Sequence, residues 1–436
     1  MARRSRLRNL LLLIHRPPEK GRMDEFSIAL IIIGGTVMAL GLISNLLART
    51  ILMEPTIALF IGILCGPEVL GFVDPSSWGL PQFVVIEYVA RLTLGIGLVA
   101  VALRIPKGFP IQNWRAMTVL IGPGMLLMWL SSSFLVYLIL GLPFWLAVLT
   151  GAVITPTDPI VASSIVTGPV AEENLPQRMR HALSFESGAN DGLAYLFVFL
   201  PVLFLTLPAD EALTAWLARV VLWELGFALL FGAAAGYTAG KLMVYAKARK
   251  LMERHSLLAH TLALSLFVLG ASKLLQSDEI VAVFVAGIIF DEVVSSSDQA
   301  EEERVQEAVN RFFSLPIFIL LGTVIPWAGW FQLGWSGLVL VIAVLFLRRL
   351  PTLLLLRPLL PGLESWKDAL IVGWFGPIAI GALYYAGVIH RHVEGDQVWV
   401  IATLVICAST VVHGMSAAPL SLLYGRASGR ARKAKN

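Results

Sequence analysis

The feature that most limits the fold of this chain is a series of apolar runs, each long enough to cross a lipid bilayer. A transmembrane helix needs about 20 mostly apolar residues, and such runs follow one another from residue 26 to residue 424. With 57% hydrophobic and only 14% charged residues, the composition excludes a soluble globular domain. The sequence therefore predicts an all-α polytopic membrane protein.

The apolar runs divide into thirteen predicted spans, and their connections are too short to hold a soluble domain. The predicted spans are Phe26–Leu47, Glu54–Phe72, Phe83–Leu103, Ala116–Leu140, Leu142–Val166, Ser184–Leu207, Leu217–Tyr245, Leu257–Leu275, Ile280–Val294, Phe312–Trp330, Trp335–Leu356, Asp368–Ile389 and Val398–Tyr424. A basic segment, residues 1–25, precedes this transmembrane domain of residues 26–424, and a short basic tail, residues 425–436, follows it.

Loop charges predict the orientation in the membrane. The net charge is +4, and Lys and Arg concentrate in the loops after odd-numbered spans and in the C-terminal tail. The loops after even-numbered spans hold almost only Arg219, Lys273 and Arg391. Because cytoplasmic loops are enriched in Lys and Arg, the odd loops and the C-terminus are predicted to be cytoplasmic, in a plasma membrane or a bacterial inner membrane. Membrane lipid rather than nucleic acid is then the expected partner of these basic residues.

The first residues conflict with this orientation. Thirteen spans with a cytoplasmic C-terminus place the N-terminus outside, where the seven basic residues among the first 22 break the same rule. Either one span is miscounted or Met23 is the true start of the protein.

Two stretches in predicted spans five and six carry ionisable groups that a bilayer disfavours: Thr155–Pro159 and Glu186–Asp191. A carboxylate at the bilayer centre costs roughly 3 kcal/mol, so each must face a cavity or a partner. Pro156 and Pro159 lack a backbone donor and disfavour helical angles in the preceding residue, so span five is predicted to break near Asp158.

Asp191 is the predicted carrier of a transported cation and of a proton. Asn190, Ser187 and Asp158 make an oxygen-rich cluster suited to a hard cation, and Thr157 adds further oxygens. A carboxyl group that opens to each side in turn exchanges the two, because binding one expels the other. The predicted ligands of the cation are Asp191, Asp158, Thr157 and Ser187, and the cation is the transported substrate. The positions of the cysteines and histidines predict no cofactor.

Glu186 needs a cationic partner, and predicted span eleven offers Arg348 and Arg349. A buried ion pair between Glu186 and Arg348 would join two bundles, with Arg349 as the alternative. Snorkelling of either arginine to the interface is a competing explanation. Lys273, Asp278 and Glu279 lie at span ends and are predicted to be interfacial.

A second break is predicted at Gly376-Pro377 in span twelve, which like span five is followed by one further span. Two Pro/Gly-interrupted spans at corresponding places indicate inverted repeats, with a site where the broken helices meet. Two other functions remain open at this point. Asp158 and Asp191 sharing a proton would suit an intramembrane aspartyl protease, and the same scaffold would suit an ion-coupled solute symporter.

Together, Thr155–Pro159 and Glu186–Asp191 resemble the motifs of the type 1 monovalent cation:proton antiporters, the sodium/proton exchanger family. The resemblance covers nearly the whole chain after Phe26 and continues, in the order of the family, through Ser277–Gly287, Arg348–Pro351, Trp366–Asp368, Gly376-Pro377 and Ser409–Gly414.

The resemblance implies a secondary transporter rather than an enzyme, with crossed broken helices in spans five and twelve. It implies a core bundle beside a dimerisation bundle, a homodimer and elevator-like alternating access. It also implies that Asp191 carries the ion and that Thr157, Asp158 and Ser187 line or support it. Asn190 would stabilise the crossing of the broken helices. The presence of Asn rather than Asp before Asp191 resembles the electroneutral branch of the family, which exchanges one sodium, lithium or potassium ion for one proton.

Overall fold

In the computed structural model, residues 20–47, 50, 52–251, 256–294 and 299–428 are described, and within them the secondary structure is helical, with no strand. The predicted segment 1–25 lies mostly outside the described residues, as does most of the tail. The main helices are α1 Lys20–Leu42, α2 Glu54–Cys65, α3 Gln82–Leu103, α4 Trp114–Leu140, α5 Phe144–Val153, α6 Pro159–Val166, α7 Gln177–Thr206, α8 Ala209–Ala248, α9 Ser256–Leu274, α10 Glu279–Val293, α11 Gln299–Thr323, α12 Trp327–Leu347, α13 Leu350–Leu356, α14 Trp366–Trp374, α15 Ile380–Ile389 and α16 Gln397–Ala427.

Every predicted span falls on one of these helices or on an interrupted pair of them. Seven helices among the described residues are long and apolar enough to cross a membrane alone. Most of the others are shorter, such as α2 and the paired segments α5 with α6 and α14 with α15, and α11 is apolar only over Phe312–Thr323. The prediction of an all-α polytopic membrane protein with interrupted helices is therefore confirmed.

The predicted breaks have local causes. Between α5 and α6 the chain leaves the helix at 154–158, where Pro156 and Pro159 lack the N–H that a continuous helix requires. Between α14 and α15 it is not helical over 375–379, around Gly376-Pro377. A third interruption, between α12 and α13, was not predicted and falls on Arg348 and Arg349, just before Pro351.

Two groups of helices pack side by side. In the first, α7 packs on α5 and α6, and α16 packs on α6, α12 and α15. In the second, α10 packs on α3, α8 and α9, and α11 packs on α2 and α3. The groups meet where α7 and α15 lie against α3, α8 and α10, which we refer to as the bundle boundary. The broken helices belong to the first group, so the candidate site lies there.

Candidate ion-binding site

The two helix breaks cross in the buried interior of the first group. The backbone N–H of Asp158, between α5 and α6, donates to the carbonyl of Pro377, between α14 and α15, at 2.7 Å. Both residues are buried. This hydrogen bond brings four half-helix ends to one place.

The Asp158 carboxylate caps the N-terminal ends of both half-helices that leave the crossing. Its Oδ1 accepts from the N–H of Val161 in α6 at 2.8 Å, and its Oδ2 accepts from the N–H of Ile380 in α15 at 2.6 Å. A helix N-terminus carries a partial positive charge and unpaired N–H groups, which an anionic acceptor stabilises. Asp158 therefore holds the two half-helices in place with one charge.

Arg348 caps the C-terminal ends of the half-helices that enter the crossing, with a positive charge instead of a negative one. Its Nη1 donates to the carbonyls of Ile154, Thr155 and Pro156 at 3.4, 2.5 and 3.3 Å, and its Nη2 donates to the carbonyl of Gly376. Carbonyls left unpaired at a helix C-terminus are stabilised by a cation. Arg348 is 3% exposed, so the snorkelling explanation is wrong for it.

The structure corrects the predicted partner of Glu186. Arg349 pairs with Glu186 in a two-pronged contact, Nη1 to Oε1 at 2.5 Å and Nη2 to Oε2 at 2.7 Å, whereas Arg348 points to the crossing. The helix interruption at these two residues separates the directions of their side chains. Arg349 is 2% exposed, so it does not snorkel either. The pair joins α7 to the α12–α13 break.

Asn190 ties α7 to the crossing. Its Oδ1 accepts from the N–H of Thr157 at 3.0 Å, and its Nδ2 donates to Thr157 Oγ1 at 2.6 Å and to Glu186 Oε1 at 3.2 Å. The hydroxyl of Thr157 donates to that of Ser187 at 3.3 Å. The structure therefore brings Thr157, Asn190, Ser187 and Glu186 into one hydrogen-bonded cluster.

Asp191 lies one helical turn beyond Ser187 and differs from every other carboxylate of the cluster. It is 0% exposed, and neither Oδ1 nor Oδ2 has a hydrogen-bond partner among the described residues. The charges of Asp158 and Glu186 act on it electrostatically. A buried carboxylate without a partner is costly when ionised, so this group is suited to bind a proton or a cation.

The backbone of α15 closes one side of Asp191. A Cβ built on Gly381 would lie only 2.7 Å from Asp191 Cγ, closer than real Cβ contacts allow. Beside it, the hydroxyl of Tyr385 donates to the backbone carbonyl of Asp191 at 2.7 Å. The second broken helix thus contacts the predicted carrier directly.

A cleft of about 530 Å³ opens at one end of the bundle boundary, between the end of α3 and the start of α7. Its walls include Ser184, about 10 Å along α7 from Asp191 at 1.5 Å per residue. Three basic side chains, Arg104, Lys107 and Arg180, line it with one acid, Glu172. The charge of the cleft walls therefore does not favour a cation.

Four acidic residues at the opposite end of the boundary are buried, which the sequence analysis did not predict. Asp278 and Glu279, predicted to be interfacial, are only 2% and 3% exposed, and Glu87 and Glu224 are equally buried. Glu87 and Arg91 both fall in predicted span three, and an ionisable residue inside a span is itself a signal of function. That signal was available in the sequence.

Crossed broken helices beside a buried carboxylate define a class of secondary ion transporters. Comparison with known sequences gives the family: the sodium/hydrogen exchanger transmembrane domain matches residues 34–423. The chain therefore belongs to the sodium/hydrogen exchanger family, which confirms the resemblance and agrees with the prediction of a transporter rather than an enzyme.

Two relatives illustrate the similarity. The chain is 32% identical over 400 residues to Na(+)/H(+) antiporter 2 of Zygosaccharomyces rouxii, covering 85% of this chain and 49% of that protein. It is 31% identical over 421 residues to a Na(+)/H(+) antiporter of Schizosaccharomyces pombe, covering 90% of each. The chain thus spans about half the length of the first relative and most of the second.

A solved structure supports the fold. The sodium proton antiporter MjNhaP1 from Methanocaldococcus jannaschii, determined at pH 8, superposes with a TM-score of 0.70 at 18% identity. The match covers 91% of this chain and 99% of that chain. At this identity the comparison concerns the fold alone.

Proposed function

We propose that this protein exchanges a monovalent cation for protons across a membrane, with Asp191 binding the two alternately. The observation that carries the proposal is the Asp191 carboxylate, fully buried beside the helix crossing with neither oxygen hydrogen-bonded among the described residues. In a dry interior such a group is stable when protonated or when bound to a cation, and unstable when bare. Competition between the two ligands then couples their fluxes.

The surrounding residues have distinct roles in this proposal. Asp191 supplies the charge that binds the cation, and Ser187, Thr157 and Asp158 supply or orient oxygens near it. Among the described residues, no group of three or more His, Cys, Asp or Glu is arranged to hold a metal ion. A transported alkali cation needs no such group, because hydroxyl and carbonyl oxygens are ligands for hard cations.

We further propose sodium as the principal cation, with lithium and potassium as alternatives. The named relatives above are Na(+)/H(+) antiporters, and a K(+)/H(+) antiporter of Alkalimonas amylolytica is 22% identical over 414 residues. Asn190 beside Asp191 is fully engaged with Thr157 and Glu186 and carries no charge. A single carboxyl carrier supports electroneutral exchange of one cation for one proton.

The remaining parts of the proposal follow from the family resemblance. They are a homodimer in a plasma or bacterial inner membrane, a cytoplasmic C-terminus, and elevator-like movement of the first helix group against the second. The packing of α7 and α15 against α3, α8 and α10 gives such a movement a defined boundary.

The test is cation-driven proton flux in proteoliposomes of the purified protein, measured with a pH-sensitive dye. We expect sodium to release a preformed proton gradient in the wild type, at the same rate with and without a clamped potential. Asp191→Asn is expected to abolish the response while the protein still elutes as a folded peak. The matched control is Asp368→Asn, because Asp368 is a partnered carboxylate that closes the capping box of α14. Normal exchange in Asp191→Asn would reject the assigned carrier.

The two other functions are distinguished by simple measurements. An aspartyl protease requires two carboxyls that share a proton, whereas both oxygens of Asp158 accept backbone N–H groups, which argues against it. Cleavage of a peptide substrate in detergent would favour the protease. An organic anion requirement for flux would favour the symporter.

A further inference from the structure

Three buried carboxylates face the bundle boundary at the end opposite the cleft. Glu87 of α3, Glu224 of α8 and Glu279 of α10 belong to the second helix group, and each is 2% or 3% exposed. Each accepts from a residue of the first group, which carries Asp191. These three contacts therefore join helices that the proposed transport cycle moves apart.

The Glu279 contact is the most enclosed of the three. Glu279 is held within its own group by Arg91, whose Nε and Nη2 donate to Oε1 and Oε2 at 2.8 and 2.5 Å. Across the boundary, the hydroxyl of Tyr384 in α15 donates to Glu279 Oε1 at 2.9 Å. The next residue, Tyr385, contacts the backbone of Asp191, so the contact and the candidate site share one segment of α15.

The Glu224 contact repeats this arrangement on α7. Arg219 Nε holds Glu224 Oε1 at 2.8 Å within the second group. The hydroxyl of Tyr195, one turn beyond Asp191 in α7, donates across the boundary to Glu224 Oε2 at 2.8 Å. In both cases a carboxylate fixed by an arginine on its own side receives a tyrosine from the other side.

The Glu87 contact lies at the same end of the bundle boundary, opposite the cleft. Arg391, just after α15, pairs with Glu87 Oε1. Here the helices are in close contact, because a Cβ built on Gly387 would lie 3.0 Å from Glu87 Cβ.

These contacts and the cleft lie at opposite ends of the boundary. In α3, Glu87 precedes the cleft residue Leu103 by 16 residues, about 24 Å along a helix axis. In α7, Tyr195 follows the cleft residue Ser184 by 11 residues, or roughly 16 Å. Asp191 lies between them, so the boundary has the cleft toward one end and the three contacts toward the other.

We propose that Glu87, Glu224 and Glu279 with Arg391, Tyr195 and Tyr384 form a clasp that sets which side of the membrane Asp191 faces. This inference rests on the proposed function and adds gating residues to it. For Asp191 to open toward the clasp end, α7 and α15 must move along the boundary and all three contacts must break. The carboxylates stay with the second group, where they become available to water and to entering cations. The clasp therefore favours the cleft-open state.

The clasp has a measurable consequence for transport. When the state that binds ions from the clasp side is a minor one, the apparent affinity on that side is reduced by its population. Loosening the clasp should raise the apparent affinity on the clasp side and leave the cleft side almost unchanged. Damage to the fold would instead lower the maximal rate on both sides.

The experiment removes two hydroxyls in the full-length protein with Tyr195→Phe/Tyr384→Phe. Sodium-dependent exchange is measured in membrane vesicles of both orientations. We expect the half-saturating sodium concentration on the clasp side to fall by roughly a factor of ten, as expected for losing hydrogen bonds to charged groups. The matched control is Tyr424→Phe, which removes a tyrosine–carboxylate hydrogen bond, to Asp368 at 2.7 Å, within the first group.

Accessibility of the clasp side gives an independent readout. Val281, buried in α10 against Gly192 of α7 at the bundle boundary, is replaced by cysteine in a chain that lacks Cys65 and Cys407, and a membrane-impermeant maleimide is added from the clasp side. Labelling should speed up in the double variant and in each single Tyr→Phe variant, but not in Tyr424→Phe. Values equal to those of Tyr424→Phe in both assays, in a protein whose wild type exchanges sodium for protons, would overturn the clasp. Absence of exchange in the wild type would overturn the proposed function instead.

Discussion

Arg348 and Arg349 show how far adjacent residues of one type differ in role. Both are buried in the same interrupted span. The planar guanidinium of Arg349 fits the two oxygens of Glu186, as a fork of donors fits a carboxylate. Arg348 instead spreads its donors over carbonyls from two helix ends. Sequence spacing placed both near Glu186 but contained no information on which one turned toward it.

A double-mutant cycle tests the corrected pair. Removing one partner strands a buried charge, so Glu186→Gln or Arg349→Met should each destabilise the protein by about 3 to 5 kcal/mol. Glu186→Gln/Arg349→Met should lose clearly less than the sum, because no charge is left unpaired. The measurement is thermal unfolding in detergent. Arg348→Met is the comparison, and a coupling to Glu186 as large as that of Arg349 would contradict the pairing described here.

At the level of elements, one acid and one base neutralise both helix breaks. Asp158 accepts hydrogen bonds from N–H groups at the two positive N-terminal ends, and Arg348 donates to carbonyls at both C-terminal ends. Because each charge serves both broken helices, α6 and α15 are fixed relative to each other at their N-terminal ends. This rigidity keeps the crossing in register beside Asp191.

Gly381 tests the close approach of α15 to Asp191. The added methyl of Gly381→Ala would overlap the Asp191 carboxylate, so the carboxylate or α15 must shift. We expect cation-driven proton flux to fall at least tenfold, since misplacement by about 1 Å can reduce the rate of a positioned group by roughly 10²-fold. Gly270→Ala in α9 is the control, because nothing lies within 4 Å of its added Cβ. Flux in Gly381→Ala equal to that of Gly270→Ala would show that the approach is not needed.

The sequence located some elements better than others for physical reasons. Breaks at Pro156 and Gly376-Pro377 were predictable because proline removes a donor and constrains the preceding residue. The break at Arg348 was not, since Pro351 follows a long apolar run that resembles a plain helix. Carboxylates at helix starts, such as Glu279, were predicted to lie at the membrane interface, because the sequence does not show that α15 packs over them and buries them.

On the scale of the whole molecule, hydropathy predicted an all-helical membrane protein because every backbone group in lipid must be satisfied within a helix. The division into two groups and the cleft between them depend on contacts between helices far apart in sequence, such as α3 with α15. Such contacts leave no periodic signal in a single chain. The orientation of the whole bundle in the membrane is therefore predicted by the loop charges alone, because helix packing does not distinguish the two sides of the membrane.

Orientation is tested by cysteine labelling in a chain without Cys65 and Cys407. Arg249 follows α8 in a basic loop, and Glu394 follows α15 near Arg391; both are exposed. Because basic loops are retained on the cytoplasmic side, Glu394→Cys should react with an impermeant maleimide on intact cells, and Arg249→Cys only after permeabilisation. Since Arg391 belongs to the clasp, the same result would place the clasp outside and the cleft inside. If Arg249→Cys reacted on intact cells, the predicted orientation would be wrong, and the clasp would face the cytoplasm and the cleft the outside.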